Sequence, residues 1–146
     1  MEQSQYLNKI SIYGNKELLK NSIRKSQAIL RKILYDHALT LDTLEINLVS
    51  DEELININRT ALNHDYFTDI ITFDYSEQSI TTGDIYISID RIIENAMTYK
   101  VAPHDELIRV MCHGVLHLSG YKDKTKVDKE LMTKMENKYL QIYKNK

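Results

Sequence analysis

The stretch Leu107-Ile-Arg-Val-Met-Cys-His113-Gly-Val-Leu-His117-Leu-Ser-Gly120-Tyr-Lys-Asp123 decides how this chain is read. Leu107, Ile108, Val110, Met111, Val115, Leu116 and Leu118 recur at helical spacing, so residues 107–118 are expected to form a largely buried helix. On it the two histidines stand four residues apart, about 40° around the axis and about 6 Å along it, so one divalent cation can meet both imidazoles. Gly120 is placed to end the helix in a left-handed conformation and turn Asp123 back toward the histidines. Two imidazoles and a carboxylate leave a coordination position open, the pattern of a catalytic zinc ion and not of a structural one. A bare His-x-x-x-His also occurs in helices whose imidazoles are merely packed or solvated. The glycine stop and the acid beyond it favour the metal.

The rest of the composition sets bounds. With 146 residues, the chain fits one domain over 1–146, large enough to bury a core without crosslinks. Cys112 is the single cysteine, which excludes an intramolecular disulfide and agrees with a reducing, cytoplasmic setting. It lies about 100° around the helix from His113, as a packed thiol would. No apolar run approaches the roughly 20 residues of a membrane span, and the polar start Met-Glu-Gln-Ser-Gln is no signal peptide, so no membrane association is expected. The net charge of −2 hides an uneven distribution. Residues 1–40 and 121–146 each carry a net +4, and residues 41–120 carry −10. If the two ends meet in space they form a cationic surface suited to a phosphate backbone. The competing reading is that Lys122, Lys124, Lys126, Lys129, Lys134 and Lys138 are the solvated face of a terminal helix.

Periodicity alternates along the chain, without repeats. Strands are expected at residues 9–13, 44–49, 69–75 and 84–88, the last two joined as an antiparallel hairpin by the polar segment 76–83. Helices are expected at residues 16–38, from a Ser50–Glu53 capping box to about 60, at 90–99, at 104–119 after Pro103, and at 126–143. Strands early and helices late predict an α+β domain: a small mixed four-stranded sheet packed with about five helices, with the metal site on a helix of the C-terminal half and the loop after it.

His113 through Tyr121 match every specified position of a His-Gly-x-Leu-His-Leu-x-Gly-Tyr signature. Thr68-Asp69-Ile70-Ile71-Thr72-Phe73 and Gly83-Asp84-Ile85-Tyr86-Ile87-Ser88 match two further blocks in the same order. On these motifs, over residues 44–136, the chain resembles the YbeY family of metal-dependent single-strand endoribonucleases. The resemblance implies one Zn2+ ion held by His113, His117 and Asp123, and single-stranded RNA as substrate. It also implies a role in ribosomal RNA maturation, at the 16S rRNA 3′ end, and in ribosome quality control, with the small ribosomal subunit as partner. Two departures stand out. Lys122-Asp123 replaces the family's Asp-His, so a carboxylate takes the place of the third imidazole and should weaken the metal as a Lewis acid. Leu62 stands where the family commonly has an arginine, six residues before Thr68; Arg59, one helical turn earlier, is the expected catalytic substitute.

Other residues carry expectations of their own. Tyr121 is suited to stacking on a base or to packing, and Lys122 to a phosphate. Thr68-Asp69 reads first as a turn into its strand, and His64 and Asp65 as a solvated loop near the site. Zinc proteases of the His-Glu-x-x-His type carry their general base directly after the first histidine. Here that residue is Gly114, which argues against a peptidase or amidase and leaves the base to Asp123 or a second water. An open three-ligand site argues against the third possibility, a non-catalytic ribosome-assembly factor with a structural metal.

Overall fold

A computed structural model of the chain describes residues 9–64 and 68–145. Its strands are β1 (Ile10–Gly14), β2 (Thr40–Val49), β3 (Ile70–Asp74) and β4 (Ile80–Ser88), and its helices are α1 (Ile23–Asp36), α2 (Asp51–Leu62), α3 (Ile89–Tyr99), α4 (Pro103–Leu118) and α5 (Lys126–Lys144). The sheet order is β1-β2-β4-β3, parallel between β1, β2 and β4 and antiparallel between β3 and β4. This is the expected α+β arrangement of a mixed sheet with five helices. Leu44, Ile46 and Leu48 of β2 and Ile85 and Ile87 of β4 point into one buried layer, as period-two alternation requires. Helix α4 lies in that layer. Leu107, Ile108, Met111, Cys112, Val115 and Leu116 are all completely buried, and the helix packs against α1, α3, α5 and the sheet.

Three element starts differ from the sequence reading by more than two residues. The run expected as one helix over 16–38 is a single 3-10 turn at Glu17–Leu19 followed by α1. Asn21 takes a left-handed conformation (φ 66°) between them, while Leu19 still reaches the core and so imitates helical spacing. Strand β2 starts at Thr40, because a bulge between Leu41 and Thr43 lets Leu41 and Leu44, of opposite parity, both face inward and breaks the alternation. Strand β4 starts at Ile80: Thr81 and Thr82 look like loop in sequence but pair with β2, and the hairpin turns tightly between Glu77 and Ile80. The expected capping box is present, with the Ser50 side chain accepting from the Glu53 amide and the Glu53 carboxylate from the Ser50 amide.

Candidate metal centre

The candidate centre starts with the way α4 stops. Ser119 is its last half-helical residue, and Gly120 follows at φ 107°. The Gly120 amide donates to the His117 carbonyl and the Tyr121 amide to the Leu116 carbonyl, both at 3.0 Å. Those two bonds make a Schellman motif, which a side chain at position 120 would strain. The chain after it is pinned at Tyr121. His37 donates from Nδ1 to the Ile33 carbonyl (2.6 Å), so its Nε2 is left to accept the Tyr121 hydroxyl (2.8 Å). With both points fixed, Asp123 is directed back over α4.

The three expected ligands converge. Asp123 Oδ2 lies 3.4 Å from His113 Nε2 and 3.3 Å from His117 Nε2, and one donor atom from each residue falls within 4.8 Å of the others. Tetrahedral zinc with bonds of about 2.0–2.2 Å places neighbouring donors roughly 3.3–3.5 Å apart. The residues therefore fit a divalent ion of that size. The three line a cleft together with Thr68, Asp69, Ile70, Thr72, Asp74, Arg109, Val110, Leu118 and Glu136.

Glu136 could not be picked out in the sequence, because it enters the site from α5. Met132, Tyr139 and Tyr143 bury one stripe of α5, and Glu136, four residues after Met132, is carried in at its edge with only 12% of its side chain exposed. Its Oε2 accepts from His113 Nδ1 at 2.6 Å and its Oε1 accepts from Arg109 Nη1 at 3.2 Å. A carboxylate on Nδ1 fixes the tautomer that leaves Nε2 free to bind metal. Burial alone would lower the His113 pKa, but the hydrogen bond and charge of Glu136, with Asp123 and Asp69 beyond, outweigh it and raise the pKa above its ordinary value. Asp69 is the second residue whose role the sequence understated. Its backbone carbonyl accepts from the Ser88 amide, extending the β3–β4 ladder, and its side chain lines the cleft, held by Asn95 Nδ2 at 3.4 Å. Burial raises its pKa against the opposing charge of His113.

The remaining candidates lie outside the cleft lining. Arg59 is exposed on α2. Tyr121 is half-buried and meets His37 edge-on, with ring centroids 5.3 Å apart; with the exposed Lys122 it lines a separate depression. His64 is exposed just after α2, and Asp65 falls outside the described residues. Cys112 is buried away from the cleft, and burial pushes its thiol up to about 12, so it stays protonated. Gly114 faces the sheet: a Cβ there would meet Ile85 Cδ1 at 2.9 Å and Ile70 Cδ1 at 3.0 Å. No acid fits at the position where zinc proteases carry their base.

Known proteins are similar to this chain. An "Endoribonuclease YbeY" from Cytophaga hutchinsonii is 52% identical over 104 residues, covering 69% of this chain and 73% of that protein. One from Bacteroides thetaiotaomicron is 40% identical over 117 residues, covering 80% and 85%. A Thermotoga maritima protein solved in solution superimposes with a TM-score of 0.67 at 26% identity, covering 92% of this chain and 87% of that one. The family model described as Endoribonuclease YbeY matches residues 5–144, nearly the whole chain and every element around the cleft. The chain therefore belongs to the YbeY endoribonuclease family.

Proposed function

We propose that this protein is a zinc-dependent, single-strand-specific endoribonuclease that acts in the cytoplasm on ribosomal RNA, at the 3′ end of 16S rRNA, in maturation and quality control of the small subunit. The observation that carries this reading is the convergence of His113, His117 and Asp123 in an open cleft, with a carboxylate behind His113 and another, Asp69, in the facing wall. A divalent ion held there supplies Lewis acidity, lowering the pKa of water and polarising a phosphoryl oxygen. Glu136 holds His113 in the ligating tautomer, and Arg109 keeps Glu136 in place. In this reading Asp69, which lines the cleft and whose pKa lies above the ordinary carboxylate value, accepts the proton of the attacking water in place of Asp123 or a second water. Arg59, exposed on α2 outside the cleft lining, acts on the phosphate backbone of the incoming strand.

Gly114, closed in by Ile85 and Ile70, speaks against the peptidase or amidase alternative. The decisive substrates are a single-stranded 16S rRNA 3′ segment, the same segment annealed to its complement, and an unstructured peptide, each incubated with zinc-loaded protein. Cleavage of the first alone is the expected result. Asp69→Asn should lower the rate by about 10²–10⁴, and Arg59→Ala should also lower it. Bound zinc with no hydrolysis of any substrate would instead favour the assembly factor.

A further inference from the structure

The cleft itself has little to hold an anionic strand. Among its lining residues Arg109 is the single lysine or arginine, and it is engaged by Glu136, while Asp69 and Asp74 line the β3 side. Positive charge lies instead along α5. Residues 126, 129, 133 and 136 follow one another at steps of three, four and three, which puts them on one stripe of the helix. Glu136 anchors that stripe in the cleft. Glu136 touches Arg109 and His113, and Tyr143 touches His104, so α4 and α5 run antiparallel. One turn closer to the connecting loop, that pairing brings Thr133 level with His117 and Lys129 level with Gly120. Lys126, Lys129, Glu130 and Thr133 line a shallow groove there.

Among the described residues neither Lys126 nor Lys129 has an ion-pair partner, unlike Lys32 with Asp36 or Lys144 with Asp105. A phosphate in the groove would be attracted by the two lysines. Glu130, the one acid in the groove, leaves it a net positive charge.

We propose that this α5 groove, with Lys126 and Lys129 as its cations and Thr133 as a hydroxyl donor, docks the phosphate backbone of the single-stranded RNA where it leaves the metal centre. The groove sets which way the strand runs: out over the N-terminal half of α5 and away from Asp69 and Asp74. This rests on the endoribonuclease reading above.

The test is binding of a phosphorothioate-linked, cleavage-resistant single-stranded RNA of about twelve nucleotides to the zinc-loaded full chain, followed by fluorescence anisotropy across a salt series. Every phosphate that a lysine neutralises on a single strand adds about 0.7 to the salt slope. The Lys126→Ala/Lys129→Ala double variant should therefore bind with a slope shallower by about twice that amount. Lys126→Arg/Lys129→Arg should keep the wild-type slope. So should Lys138→Ala, which removes a charge nine residues after Lys129 and hence from the opposite side of the same helix. A wild-type slope in the double alanine variant overturns the groove while leaving RNA binding intact, and so does an equal reduction in Lys138→Ala. No RNA binding by the wild type overturns the groove together with the functional reading.

Discussion

His113 shows how much chemistry one side chain can hold when both ring nitrogens are assigned. Nε2 faces Asp123 and His117, and Nδ1 donates to Glu136 at 2.6 Å. Replacing Glu136 by Gln keeps an acceptor but removes the charge that orients the ring and supports its basicity. Removing a partner that orients a metal ligand costs roughly 10- to 100-fold in metal affinity. We therefore expect Glu136→Gln to bind zinc that much more weakly, measured by competition with a chromophoric chelator on protein whose fold is verified by its circular dichroism spectrum. The cluster of His113, His117 and Asp123 was legible in the sequence, because His-x-x-x-His and the glycine stop are local signals on one helix. Glu136 and Arg109 were not. The carboxylate lies 23 residues from His113, and only the packing of α5 on α4 brings it there.

At the scale of elements, α4 is the part whose position matters most, and Gly114 sets its height above the sheet. A methyl group at that position would press on Ile85 and Ile70. Overpacking of this kind typically costs about 1–3 kcal/mol. Gly114→Ala should therefore lower thermal stability by about that amount, read from denaturant midpoints, and should weaken zinc binding as well, since α4 carries both histidines. Unaltered metal affinity would show that the ligand geometry does not depend on this close approach. The sequence marked Gly114 as a missing base; its steric role emerges only when α4 is laid on β3 and β4. The same separation explains the misplaced strand and helix starts. A bulge in β2 and a left-handed Asn21 are backbone events that hydrophobic spacing does not register.

Taken whole, the molecule buries two acids, Asp69 in the cleft and Glu106 outside its lining. Asp69 and Glu106 both have raised pKa values, in each case chiefly through burial. Just above the ordinary carboxylate range the folded protein keeps protons that the unfolded chain has released, so stability falls as pH rises through that window and the loss persists at neutral pH. Glu106 is 4% exposed, lies outside the cleft lining and can be changed on its own. Glu106→Gln should raise the melting temperature at pH 7, and the gain should fade as pH is lowered toward 4; a gain that persists at pH 4 would contradict the linkage. The two basic ends of the sequence do come together, with α5 tied to α1 by the Tyr139 hydroxyl donating to Asp36 and by Lys25 over the Tyr143 ring. The central claim is that His113, His117 and Asp123 form one working metal centre despite a carboxylate standing where the family has a third imidazole. It is tested most directly by the rate at which zinc-supplemented wild type and Asp123→Ala cleave a single-stranded 16S rRNA 3′ segment. The account predicts that cleavage by Asp123→Ala falls to background while Asp123→His stays active; cleavage by Asp123→Ala at the wild-type rate would contradict it.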